Sequence, residues 1–146
     1  MRTGVEGKPA REFSVRWSEK IYRLHESGVN NHGPRGAGIF EIVLFPPGAE
    51  DGEVLYVGQV PAGGSIAQVL DRIRLGEGGL DEERLAVVRE NMANAYFDAL
   101  VAGDLEGDDD FKDVAWALVQ EKKPRLNPAD RQPHSGRYSE ITLKEV

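Results

Sequence analysis

Two apolar runs, Ile39 to Phe45 and Val54 to Val60, constrain this chain more than any other stretch. Both are rich in branched and aromatic residues, which fit a pleated, half-buried surface, and the segment between them holds Pro46, Pro47, Gly48 and Gly52, which break a ladder and favour a turn. The pattern predicts an antiparallel hairpin. With 146 residues, 40% of them hydrophobic and 29% charged, the chain has the size and composition of one domain with a real core.

Composition then removes several function classes. The chain has no cysteine, so disulfides, thiolate metal sites and a cysteine nucleophile are excluded, and metal ligands are left to carboxylates or to His25, His32 and His134. No apolar stretch approaches the roughly 18 residues of a membrane span, and Met1 to Arg11 lacks the apolar centre of a signal peptide. The expectation is a cytoplasmic protein.

A net charge of −7 weighs against a nucleic-acid binder, because Lys and Arg against phosphate supply most non-specific affinity. The charge is uneven, however. Residues 41 to 113 hold seventeen acids against five bases, residues 1 to 40 hold seven bases against four acids, and residues 122 to 137 hold five bases against one acid. If the two ends meet in space they make one basic face on an acidic body, with Lys122, Lys123, Arg125, Arg131 and Arg137 as candidate nucleic-acid contacts. The simpler reading of both ends is solvated tails.

Periodicity orders the rest. Residues 1 to 11 read as unstructured, and Phe13, Val15 and Trp17 alternate as in a short strand. Ser18 is placed to cap a helix through Leu24, and Gly28 to Gly38 reads as a loop. Beyond the hairpin, Gly63-Gly64 turns the chain and Ser65 caps a helix to Leu75 whose Ile66, Val69, Leu70 and Ile73 share one face. Asp81-Glu82-Glu83 opens another helix with Leu85, Val88 and Met92 inward, its acids matched to the N-terminal dipole. Residues 95 to 102 read as a third strand, Asp108-Asp109-Asp110 precede a helix from Phe111 to Lys122, and Tyr138 to Val146 reads as a last strand with Ile141 and Leu143 inward. The three aspartates are explained by capping and dipole rather than by metal.

The order hairpin, helix, helix, strand, helix, with Gly38-Ile39-Phe40 and Tyr56-Val57-Gly58 on the two hairpin strands, resembles the GIY-YIG nuclease family. Gly58-Gln59, the string Ser65-Ile66 to Leu70, and Lys123-Pro124-Arg125-Leu126-Asn127 add to the likeness, which covers residues 33 to 127. It implies an α+β fold: a small three-stranded antiparallel sheet flanked by helices, with residues 1 to 32 and 128 to 146 as terminal additions carrying a strand each. In the family a Tyr relays the proton of an attacking water, an Arg offsets phosphate charge, a Glu holds Mg2+ or Mn2+, and an Asn supports the site. Tyr56 and Asn127 match. Phe40 stands in place of the first tyrosine, Val69 at the arginine, Ile73 where a His is common, and Ala115 at the glutamate. A one-turn shift of helix register makes Arg72 the phosphate arginine instead. A metal would then need Asp110, Asp113 or Glu90.

Because three charged or polar positions have become apolar, the resemblance implies a degenerate member that binds nucleic acid, or a protein of a nucleic-acid-processing or defence complex, without cleaving. An active endonuclease built on Tyr56, Arg72 and Asn127 is one alternative. An acidic adaptor or inhibitor, with Asp104, Glu106 and Asp108 to Asp110 imitating phosphates, is another.

Overall fold

The computed structural model describes residues 1–146 as an α+β fold of six strands, four helices and two short 3-10 turns. In chain order these are β1 (Ala10–Trp17), β2 (Tyr22–Arg23), α1 (Glu26–His32), β3 (Gly38–Leu44), β4 (Glu53–Val60), α2 (Ile66–Leu75), α3 (Glu82–Glu90), β5 (Ala95–Gly103), α4 (Asp108–Lys122) and β6 (Glu140–Glu145). The two apolar runs do form the hairpin: β3 and β4 pair antiparallel from Gly38 opposite Val60 to Leu44 opposite Glu53. On its other side β3 pairs antiparallel with β5, from Phe40 opposite Ala99 to Leu44 opposite Ala95. A strand flanked on both edges and covered on both faces must be apolar nearly throughout, and all seven residues of β3 are buried.

The sheet is wider than three strands and is mixed. Its order is β4-β3-β5-β1-β6, with β2 also on β5, and β6 runs parallel to β1. The terminal additions therefore complete the sheet, and the expected three antiparallel strands are only its β4-β3-β5 portion. The physical reason lies in α4. Every residue from Asp113 to Val119 is buried, a helix apolar nearly all round, and three strands cannot cover it. Phe13, Val15 and Ile141 from β1 and β6 extend the surface under it, and residues 129 to 138 close over its outer side, where Trp116 meets His134 edge to face and Gln120 donates to the Ala129 carbonyl.

Two cores result. On one face Phe40, Ile42, Leu55, Phe97 and Ala99 meet Ile66, Leu70 and Ile73 of α2 and Val88 of α3. On the other, Ile39, Val57, Phe13, Val15 and Ile141 meet α4. Each fully buried Ile or Leu on α2 contributes about 2 kcal/mol. Helix α2 starts where its sequence says, with Ser65 Oγ accepting from the Gln68 amide at 3.3 Å, and stops at Gly76, whose φ of +70° suits glycine.

Two local expectations fail. Residues 18 to 24 are not helical, because the segment runs along the free edge of β5: the Ser18 amide donates to the Ala99 carbonyl at 2.8 Å and the Leu24 amide to the Ala95 carbonyl at 3.0 Å. Edge pairing outweighs the capping signal. Conversely, Glu26 to His32 is a helix rather than a loop, capped by His25 Nδ1, which accepts from the Gly28 amide at 3.2 Å. Gly28 is required there, since a Cβ would lie 2.1 Å from the Arg23 carbonyl oxygen. No helix is long and apolar enough to cross a membrane.

Candidate functional site

Tyr56 stands opposite Ile42 in the hairpin, so its ring joins the α2 face beside Phe40, at 6.0 Å between ring centroids. Val69 packs partly buried against the same cluster and Ile73 within it. Phe40, Tyr56, Val69 and Ile73 are thus brought together as one apolar patch. Ala115 is not: it lies in α4, on the opposite face of the sheet. Phe40 also explains Gly58, directly across from it, where a Cβ would sit 2.1 Å from the ring.

Asn127 is buried and bound at both ends of its amide to one residue. Its Oδ1 accepts from the Val57 amide at 2.8 Å and its Nδ2 donates to the Val57 carbonyl at 3.1 Å, while the Leu126 amide donates to the Leu55 carbonyl at 3.0 Å. The Lys-Pro-x-x-Asn string is therefore a plug on the open edge of β4, imitating a neighbouring strand. Such an edge left bare would be a template for unwanted pairing.

Arg72 is exposed, its guanidinium lying over Gly78 in the turn after α2. The arginine whose charge acts on Tyr56 is Arg84, in the first turn of α3. Burial pushes the Tyr56 hydroxyl above its ordinary value of 10.0, Arg84 opposes that shift and Asp81 adds to it. Arg84 is held by Asp81 Oδ2 at 2.9 Å and donates through Nε to the Leu126 carbonyl at 2.9 Å. Only the Asp81 cap, three residues before it, marks this position in the sequence.

Three of the five cations of the C-terminal segment, and one of the N-terminal ones, are paired with acids of the body. Arg11 pairs with Asp104, Lys122 with Glu41, and Arg125 with Glu53. Arg137 bridges Asp110 and Asp113 at 2.8 and 2.7 Å, where Asp113 is wholly buried and also accepts from the Ser135 amide and hydroxyl. Lys123 and Arg131 have no acidic partner. One cleft of about 390 Å3 does collect arginines: Arg84 from α3 faces Arg125 and Arg131 from the segment after α4, with Asp81 and Glu83 at its rim and Val87, Leu126 and Pro128 in its walls.

The acidic residues are equally committed to structure. Asp108 Oδ1 accepts from the Ala62 amide at 2.8 Å, fastening the turn after β4, and Asp104 Oδ1 accepts from the Ser14 amide at 2.9 Å. No three His, Asp or Glu side chains converge as metal ligands, and Glu90 is exposed at the end of α3.

A polar cluster unseen in the sequence lies on the α4 face. Glu41 and Asp98 stand opposite one another in the β3–β5 ladder, and Lys122 Nζ reaches Glu41 Oε2 at 2.8 Å. Glu41 is 1% exposed, and Asp98 Oδ1 is buried with no partner within ordinary hydrogen-bond geometry. Burial first, then the neighbouring Glu41 charge, push the Asp98 carboxyl from 3.8 up to about 8, against the pull of Lys122. A lone acid inside an otherwise apolar central strand was the available signal.

Family models, curated proteins and solved structures offer no match to this chain. The side chains themselves therefore carry the functional reading.

Proposed function

We propose that this chain is a GIY-YIG-like domain that has lost nuclease chemistry and binds nucleic acid through the arginine-lined cleft between α3 and residues 125 to 131. The carrying observation is the apolar filling around Tyr56, where Phe40 and Ile73 are buried at 1% and 2% exposure beside Val69. An apolar filling removes the cost of holding charges in a site that no longer pairs them with substrate. The reading draws on the strand order β4-β3-β5 at the centre of the sheet, with two helices between β4 and β5 and one after β5.

Three arginines around one cleft suit the phosphate backbone, since guanidinium groups present paired donors to phosphate oxygens. Arg131 is the free contact. Arg84 and Arg125 keep their acidic partners and offer their remaining donors. The acids at the rim and the net charge of −7 limit affinity, so binding is modest and falls steeply with salt.

Two assays test the reading. Supercoiled plasmid incubated with the protein and Mg2+ or Mn2+ stays intact; nicking that disappears in Tyr56→Phe refutes the loss of catalysis and favours the active alternative. Fluorescence anisotropy with a labelled single-stranded and a duplex oligonucleotide shows binding that weakens roughly three- to tenfold in Arg131→Ala, with the salt slope reduced by about one. Absence of binding to either oligonucleotide at low salt removes the nucleic-acid assignment and leaves a protein partner.

A further inference from the structure

We propose that Glu41, Asp98 and Lys122 form a proton-operated latch that fastens the C-terminal end of α4, and with it residues 123 to 131, to the sheet. The geometry assembles it from three elements. Glu41 from β3 and Asp98 from β5 are direct cross-strand neighbours, and Lys122, the last residue of α4, lies 2.8 Å from Glu41 Oε2. Val57 from β4, across from Glu41 on its other side, is apolar. Trp17 of β1 closes the top: the Lys122 ammonium sits 4.9 Å from its ring centroid, and its Nε1 donates to Glu145 of β6 at 3.1 Å. The groups acting on Asp98 are thus one carboxylate and one ammonium.

With one proton between the two carboxyls the cluster is balanced, because a single ammonium faces a single negative charge. Asp98 then donates to Glu41, and Glu41 accepts from Lys122. Loss of that proton to solvent leaves two cross-strand carboxylates and one cation, with Glu41 almost wholly buried and Asp98 half-buried, and neighbouring like charges repel more strongly there than in open water. The repulsion is relieved when Asp98 swings out to water and draws Lys122 off Glu41. Burial of Asp98 and the Glu41 charge set this change near pH 8, within reach of ordinary alkaline shifts.

The latch has leverage because Lys122 leads directly into the edge plug. Lys123 turns the chain in the left-handed region at φ +47°, and the next residues cover the β4 edge and wall the arginine cleft. Loosening Lys122 therefore loosens Leu126 and Asn127. The effect on ligand binding rests on the function proposed above; the latch itself does not.

The test uses the unliganded protein. Carbon-detected NMR titration of the wild-type Asp98 carboxyl is expected to show a step near pH 8. Amide exchange, corrected for its intrinsic pH dependence, is expected to show protection of Leu126 and Asn127 falling at least about fivefold between roughly pH 6.5 and pH 9.5. In Asp98→Asn, whose amide donates to Glu41 without titrating, that fall disappears. An Asp98 carboxyl that titrates below about pH 5 in the wild type overturns the latch even if the variant fails to fold. So does an unchanged pH dependence of exchange in a folded Asp98→Asn.

Discussion

Replacing Asn127 by alanine separates a structural asparagine from a chemical one. The side chain is buried and holds both backbone polar groups of Val57, at 2.8 and 3.1 Å. Alanine leaves the Val57 N–H and C=O facing a small void at an edge that the Leu126 backbone still covers. A buried polar group left without a partner costs about 1–3 kcal/mol, and at an edge close to water the lower part of that range, about 1–2 kcal/mol each, gives about 2–4 kcal/mol for the pair. With a urea slope of about 2 kcal/mol per molar, the unfolding midpoint should fall by about 1–2 M at unchanged slope. The Val57 amide should lose its exchange protection at the same time. Tyr56→Phe, which removes only a hydroxyl, should shift the midpoint far less. A folded Asn127→Ala protein destabilised by less than about 0.5 kcal/mol would refute the edge-plug reasoning, and the refutation would be complete if plasmid nicking by the wild type vanished in the same variant.

The same geometry makes other perturbations informative. Arg137→Met strands Asp110 and the wholly buried Asp113 without their cation, and should cost about 3 kcal/mol in denaturant unfolding, part of it restored by adding Asp113→Asn. Gly58→Ala drives a Cβ into the Phe40 ring and should cost about 1–3 kcal/mol, less when combined with Phe40→Leu. Stability should also decline with rising pH. Asp98 titrates near 3.8 in the open chain and near 8 when folded, so the native state holds a proton that the unfolded state has lost, and the associated stability is fully present below pH 3.8 and gone once pH has risen through 8. Urea midpoints at about pH 5 and pH 9 measure this, and Asp98→Asn should flatten the difference. Because its hydroxyl is raised above 10.0, Tyr56 should ionise above that value in an ultraviolet absorbance titration, and the late component should be absent from Tyr56→Phe.

What was legible in the sequence was whatever rests on local chemistry. The hairpin comes from branched residues flanking prolines and glycines and α2 from a serine cap and a four-residue apolar stripe, whereas residues 95 to 102 could also have continued the preceding helix and were read as a strand on the weak helix formers Asn91 and Asn94 and on the family resemblance. Phe40, Val69 and Ile73 were picked out as neighbours of Tyr56 by the family resemblance, and they do lie on its face of the sheet. Ala115 lies apart from them for a complementary reason. Counting along α4 gives its helical position, but which side of the sheet α4 covers is decided by where the chain crosses.

Residues 18 to 24 show the limit most directly. Ser18 has every local reason to cap a helix, yet the unpaired edge of β5 lies alongside it and satisfies its amide and that of Leu24 instead. The basic segment fails in the same way: five cations close in sequence read as one patch, but Lys122 and Arg137 sit at opposite ends of a fifteen-residue helix and are claimed by different acids. Composition and periodicity determined by themselves the apolar hairpin and the capped helix that follows it, because those properties depend on neighbours a few residues away. Only the tertiary structure decided that Asn127 plugs an edge, that Arg84 rather than Arg72 acts on Tyr56, and that Glu41 meets Asp98, because burial and pairing energies act between residues that chain order leaves tens of positions apart.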